Sequence, residues 1–285
     1  MNTEVSDFVF VTWNTEGSNW ENVAKLMLSK EGVDRIDVMA LQECSEHPIS
    51  DEHPQAAKSG IGTISLPANE VENIQINPTP NQRDNSSGIT TYLWHFNTEA
   101  EFFLYYRNNK IFTEIGAVGG SGKKSLSSAF VTRVEATRTF YMAPVDNNGS
   151  PVNNSDYNKN RPVIGIEVNG VVYFNIHGSH QYNNSVNNTI RIIKEFMARN
   201  HPAIKWVMMG DFNKTPLEIN TAGLYLMEPN TATRAKSGKI IDYAISNDST
   251  VGNMHIHVSR DNHGSDHFPV EFINKNINHN SFGSF

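Results

Sequence analysis

The stretch Trp206-Val-Met-Met-Gly-Asp211-Phe-Asn213 runs from apolar residues straight onto a carboxylate and a carboxamide. Trp206 to Met209 reads as a buried strand stopped at Gly210, with Pro216 closing the loop behind it. An acid and an amide at a strand's carboxyl end stand where α/β proteins assemble their chemistry, although such a pair also serves to satisfy backbone N–H groups in a turn. Further polar residues at strand ends tilt the balance towards chemistry. Asn14 follows an apolar run from Phe8, Glu43 follows Ile36 to Leu41, and His177 follows Val171 to Ile176. Asp242 and the pair Asp266-His267 come later. Oxygen donors such as Glu43, Asn14 and Asp266 suit Mg²⁺, a hard cation that binds few protein groups and keeps its waters. A histidine oriented by a carboxylate takes a proton from water, and a second histidine can stabilise a phosphoryl or departing oxygen. Those are the needs of phosphodiester hydrolysis: an in-line nucleophile, charge neutralisation and relief of the leaving oxygen. Each residue alone has a plainer use; their occurrence together, in this order, is the signal.

The elements that must position these groups are mostly strands. Trp20, Val23, Ala24, Met27 and Leu28 recur at helical spacing behind a capping box at Ser18 to Glu21. Residues 44–88 are polar, with no strong period, and read as a long loop with at most short elements. Ile89 to Phe96 and Phe102 to Tyr106 form a predicted strand pair, and Ser128 to Val134 with Thr139 to Ala143 another. Val163 to Val168, Asn169-Gly170, then Val171 to Ile176 is the clearest hairpin, an Asn-Gly turn between apolar strands. Val186, Ile190, Ile193 and Met197 mark one face of a second helix. Ile240 to Ser246, Met254 to Val258 and Phe268 to Ile273 complete a β-rich set. Many hairpins and few helices imply an α/β or α+β protein with two stacked sheets and helices outside, not a doubly wound parallel sheet.

Composition bounds the rest. The 285 residues carry no repeat or linker and are expected to fold as one domain, 1–285, with a core from about 8 to 273. A net charge of −7 argues against a generally basic nucleic-acid coat, so DNA contacts would come from local lysines and arginines. Cys44 is the single cysteine, which excludes an internal disulfide, and it reads as buried filler rather than a nucleophile. No apolar run is long enough to span a membrane, and the first residues lack a signal-peptide layout. One Asn-x-Ser/Thr sequon falls on Asn213, where a glycan would block the proposed site.

The Gly-Asp-Phe-Asn213, Ile-Asp242-Tyr and Ser265-Asp-His267 segments resemble the endonuclease/exonuclease/phosphatase superfamily. Trp13-Asn-Thr-Glu-Gly17-Ser, Leu41-Gln-Glu43, Arg161-Pro-Val-Ile-Gly-Ile166 and Phe174-Asn-Ile-His177 narrow the resemblance to the catalytic components of cytolethal distending toxins. The likeness runs from about Phe8 to Phe272. It implies a four-layer, DNase I-like sandwich of two stacked, mostly antiparallel sheets flanked by helices. It further implies a Mg²⁺-dependent endonuclease, with Mn²⁺ or Ca²⁺ as substitutes in vitro. Glu43 would hold the metal with Asn14 and Asp266 near it, and Asp211 and Asn213 would hold the scissile phosphate and nucleophile. His267, oriented by Asp242, would be the base, and His177 would serve the phosphoryl oxygen or leaving group. Expected partners are DNA and toxin delivery subunits. The expected setting is a secreted protein whose signal is absent or removed, acting inside a target cell, in the nucleus; cytoplasmic expression is the alternative.

Three departures from the family pattern matter. A basic run holding an arginine and an asparagine is replaced by Lys123-Lys124-Ser-Leu-Ser, which makes these lysines the candidate phosphate contacts. The family's acidic residue before Tyr92-Leu-Trp94 is replaced by Thr90 or Thr91, and by analogy with the pancreatic-type deoxyribonucleases Glu101 is then the candidate to orient His177. The loop from Val145 to Arg161 is also longer than the family's. Two other functions compete: a phosphoinositide phosphatase using the same constellation, and a non-catalytic binding or assembly relative. The Pro-Ala-Trp-Cys-Asp-Arg segment of inositol 5-phosphatases does not occur, and none of the best-matched site residues is lost.

Overall fold

The computed structural model of the chain describes residues 3–17, 20–29, 35–44, 63–65, 71–73, 89–96, 100–107, 127–152, 161–179 and 182–274. Among them, two sheets form. The first is built from β1 (Phe10–Asn14), β2 (Val38–Cys44), β3 (Thr63–Ser65), β5 (Ile89–Phe96), β6 (Ala100–Arg107), β7 (Ser127–Thr132), β14 (Met254–Val258) and β15 (Val270–Asn274). Its order is β14-β15-β1-β2-β7-β6-β5-β3. The second holds β4 (Val71–Asn73), β8 (Arg138–Met142), β9 (Val163–Val168), β10 (Val171–His177), β11 (Lys205–Asp211), β12 (Tyr225–Met227) and β13 (Asp242–Ser246), in the order β12-β13-β11-β10-β9-β8-β4. Pairing is antiparallel except at β1–β2, β10–β11 and β4–β8.

Three apolar clusters define the layers. One lies between the sheets, where Phe10, Ala40 and Phe130 meet Ile166, Tyr173 and Met209. The second joins the outer face of the first sheet to α1 (Trp20–Leu28) through Trp13, Met27 and Trp94. The third joins the outer face of the second sheet to α2 (Ser185–Asn200) through Phe174, Ile193 and Trp206. Side chains i and i+2 of a strand share a face, so residues buried on both faces must come from near-continuous apolar runs, as β1, β2, β7, β10 and β11 do. The result is the α+β sandwich with helices on both outer faces that the strand pattern implies.

The Asn169-Gly170 hairpin forms as expected, with φ of 52° and 82° at the two turn residues, which the Asn-Gly pair accommodates. Residues 128–143 are different. They are not a hairpin: β7 pairs with β2 and β6 in the first sheet, while β8 pairs with β9 in the second. The short link between them crosses the sandwich, and Ala136 in that link is buried in the inter-sheet core. Two three-residue strands, β3 and β4, lie within residues 44–88, where at most short elements are expected. The Ser18 end of the α1 capping box lies outside the described residues.

Candidate active site

The parallel pairs β1–β2 and β10–β11 bring four strand ends to one edge of the sandwich. Asn14 lies beside Gln42 in the first sheet, and His177 beside Asp211 in the second. Asp242 starts β13 directly across from Asp211. Close backbone approach makes this possible. A Cβ at Gly210 would lie 1.9 Å from the Ile176 carbonyl oxygen, and one at Gly178 would lie 2.1 Å from that of Phe212. Only glycine fits at either position.

Asp211 is the hub. Its Oδ1 accepts the Asn213 backbone N–H at 2.7 Å, and its Oδ2 accepts from Asn14 Nδ2 at 3.1 Å and Asn213 Nδ2 at 3.2 Å. The same Oδ2 stands 3.7 Å from His177 Nε2 and 3.9 Å from His267 Nε2. Burial, then the charge of Asp242, pushes the Asp211 carboxyl up to about 7. Asn213 holds a left-handed backbone (φ 51°) and ties its amide to the Gly178 carbonyl at 3.0 Å, so the loop after β11 is anchored to the loop after β10.

The His267 ring lies against Asp242. Its Nδ1 meets Asp242 Oδ2 at 2.9 Å and Oδ1 at 3.1 Å, and the Thr233 hydroxyl donates to the same Oδ2 at 2.7 Å. Burial disfavours the imidazolium, but the Asp242 hydrogen bond and the charges of Asp242, Asp211 and Asp266 outweigh it and raise the His267 pKa to about 9. The Ser265 hydroxyl donates to the Asn14 carbonyl at 2.7 Å and accepts the His267 N–H at 3.0 Å, fixing the Ser-Asp-His segment against β1.

Glu43 is delivered by a bulge. Gln42 and Glu43 of β2 stand opposite the single residue Ser128 of β7, and Glu43 adopts φ 51°. Its Oε1 lies 3.4 Å from His177 Nε2 and 3.9 Å from Arg161 Nη2. Arg161 also donates to the Gly178 carbonyl at 3.1 Å; burial lowers its pKa, and the charges of Glu43 and Asp211 oppose that.

Two expectations need correction or refinement. Glu101 does not orient His177. It is exposed and lies near the start of β6, across from His95, whereas the edge that carries the site is marked by Arg107 at the other end of that strand. Antiparallel pairing to β7 puts the length of the strand between them. Asp266 is at the site, but Arg234 grips its Oδ2 through Nε at 3.1 Å and Nη2 at 3.0 Å. Burial acts against ionisation there, yet Arg234 and the neighbouring His267 hold the Asp266 carboxyl below its ordinary range. Its Oδ1 faces His267 Nε2 at 3.4 Å. Cys44 is buried, and burial pushes its thiol well up, so it is no nucleophile. Lys123 and Lys124 lie outside the described residues.

Residues 11–267 match the Endonuclease/Exonuclease/phosphatase family. The chain belongs to that family. It is 23% identical to the B component of the cytolethal distending toxin of Escherichia coli over 294 residues, covering 94% of this chain and 91% of the relative. The structure of the biologically active subunit of cytolethal distending toxin superposes with a TM-score of 0.64 at 21% identity, covering 96% of this chain and all (100%) of that one. A cytolethal distending toxin from Actinobacillus actinomycetemcomitans gives 0.65 at 23%, covering 95% and 99%. The DNase I-like sandwich and a similarity to the toxin's B component are thereby established, and the chain is a metal-dependent phosphodiesterase of the family. Among the described residues no helix is long and apolar enough to cross a membrane.

The residues missed from the sequence are Arg161, Thr233 and Arg234. Arg161 opens a motif that was visible, but nothing local assigns its side chain to Glu43, 118 positions earlier. Thr233 and Arg234 sit in a segment that meets the Ser-Asp-His segment only through tertiary pairing, with Ala235 N–H bonded to the Asp266 carbonyl and Phe268 N–H to that of Thr233. No spacing signal encodes that.

Proposed function

We propose that the chain is a Mg²⁺-dependent endodeoxyribonuclease. The observation that carries this reading is the pair of histidine Nε2 atoms facing the same Asp211 oxygen, at 3.7 and 3.9 Å. Two proton carriers around one carboxylate fit a phosphodiester, in which one oxygen attacks and another departs.

The cation end fits Glu43, which presents an oxygen at the site, with Asn14 beside it. The Asn14 Oδ1 accepts one N–H, from Glu16 at 3.1 Å, and an amide oxygen has a second lone pair. Asp266 can contribute only its Oδ1 while Arg234 holds the other oxygen. Oxygen donors of this kind favour a hard divalent cation. A bound Mg²⁺ supplies charge neutralisation at the phosphoryl oxygens and a more acidic water. The chain's own groups do the rest. Asp242 occupies His267 Nδ1 and leaves Nε2 as the atom that exchanges a proton with water. Asp211, braced by Asn14 and Asn213, aligns that water and the phosphate. His177 Nε2 serves the opposite oxygen, and Arg161, drawn in by Glu43, adds positive charge beside it.

DNA is the proposed substrate because the matched relatives are cytolethal distending toxins; by the same route delivery subunits, secretion and action in a target-cell nucleus are proposed. Supercoiled plasmid nicking with and without Mg²⁺, run beside hydrolysis of a phosphoinositide, tests the reading. Mg²⁺-dependent nicking supports it; phosphoinositide hydrolysis without nicking replaces the substrate, and the absence of both activities overturns it.

A further inference from the structure

The bulge that aims Glu43 breaks the ladder between β2 and β7. Register runs from Val38 to Leu41 against Thr132 to Ala129, then resumes only at Cys44 opposite Ser127. A break of that kind strands backbone carbonyls inside the protein, where an unpaired polar group is costly. The break is filled from the other sheet. Asn175, fully buried on β10, reaches across the sandwich with its Nδ2 to the carbonyls of Leu41 and Ala129, each at 2.9 Å. Its Oδ1 accepts from Gln42 Nε2 at 2.8 Å. Leu41 and Ala129 are the last register pair before the bulge, and Gln42 is the first bulged residue.

We propose that Asn175 is a positioning residue for Glu43, a buried amide that clamps the bulge open and thereby sets the cation end of the site. Its place on the strand explains the reach. Asn175 and His177 are two apart on β10 and share the face turned to the first sheet, as strand residues at i and i+2 do. One strand therefore carries both the histidine that meets Glu43 Oε1 and the amide that holds the backbone beneath Glu43. The backbone of the bulge is braced from the other side too, since Gly17 N–H donates to the Glu43 carbonyl at 2.9 Å and Thr15 N–H to that of Gln42 at 2.9 Å. An apolar residue at 175 would fill the space yet leave two carbonyls and the Gln42 amide without these partners. The bulge would then relax towards regular pairing, and a one-residue change in register turns a side chain to the opposite face. Glu43 would leave the site while the rest of the site stayed assembled.

This inference rests on the reading of Glu43 as a cation ligand, and the test separates the two. Mn²⁺ binding to the full chain is measured by the electron paramagnetic resonance signal of the free ion, for wild type, Glu43→Gln, Asn175→Leu and Ile193→Ala. Ile193 is fully buried against the outer face of the other sheet, so its truncation destabilises without touching the bulge. Asn175→Leu is expected to weaken Mn²⁺ binding roughly 10- to 100-fold, the scale for groups that orient ligands, and Ile193→Ala to leave it unchanged. If Asn175→Leu does not fold, Asn175→Ser, too short to span the sheets, takes its place with the same expectation. Wild-type binding matched by the folded Asn175 variant would overturn the inference and leave the Glu43 reading intact. Wild type that takes up no Mn²⁺, or Glu43→Gln that binds as well as wild type, would overturn the Glu43 reading and this inference with it.

Discussion

Asp242→Asn isolates the charge that holds a proton on His267. Asn keeps an oxygen for the Thr233 hydroxyl and for His267 Nδ1–H, so shape and hydrogen bonding survive while the charge is lost. In the metal-free protein His267 is raised from 6.5 to about 9, against the effect of its own burial. At about 1.36 kcal/mol per pH unit, that difference corresponds to about 3 kcal/mol favouring the protonated folded state. A raised histidine pKa contributes stability that is fully present below about 6.5 and lost as pH rises through about 9. Asp211 slopes the same way in a lower window: its raised carboxyl weakens the fold as pH climbs from 3.8 to about 7, and removing the Asp242 charge relieves part of that. The two effects overlap in a melt, so a direct readout is needed. The assay is a proton NMR titration of the His267 Cε1–H in EDTA, for wild type and Asp242→Asn. The midpoint is expected to drop from about 9 towards 6.5 or below, because burial then acts with one fewer opposing carboxylate. A midpoint that stays near the wild-type value would refute Asp242 as the holder of that proton and would move the task to Asp211 and Asp266.

Four further outcomes are expected. His177→Ala and His267→Ala should each lower plasmid nicking by roughly 10²-fold or more, and near-normal nicking by either folded variant would remove it from catalysis. Glu43→Gln should shift the Mg²⁺ activation midpoint upward while the thermal melt holds, since Gln keeps the shape and loses the charge a hard cation prefers. Gly178→Ala would place its Cβ 2.1 Å from the Phe212 carbonyl oxygen and should destabilise by about 1–3 kcal/mol, read as a lowered denaturation midpoint; an unshifted midpoint would show that the two loops can part freely. The double variant Lys123→Ala/Lys124→Ala, in a His177→Ala background that spares the DNA, should flatten the log affinity against log salt slope by about 1 to 2 units. An unchanged slope would place the phosphate contacts elsewhere.

What the sequence made legible follows from range. Strand ends are local events, so Asn14, Glu43, His177 and Asp211 were found from apolar runs that stop at polar residues, and the Asn169-Gly170 turn from its own backbone needs. The pairing of Asp242 with His267 rests on family likeness rather than on any local pattern, and the two side chains lie 2.9 Å apart. The errors are all long-range. Ser128 to Val134 and Thr139 to Ala143 look like a hairpin because strands close in sequence usually pair, yet a short link can also carry the chain from one sheet to the other. Glu101 rests on analogy with the pancreatic-type deoxyribonucleases, but antiparallel pairing along β6 puts it at the far end of the strand. Arg161 and Arg234 escaped because a guanidinium's partner is set by the fold, here Glu43 and Asp266, and no periodicity announces it. The same holds for Asn175, whose polar side chain interrupts an apolar strand. That interruption is the one local clue, since a buried amide must find partners, and in this fold those partners sit on the opposite sheet directly under the residue proposed to hold the metal.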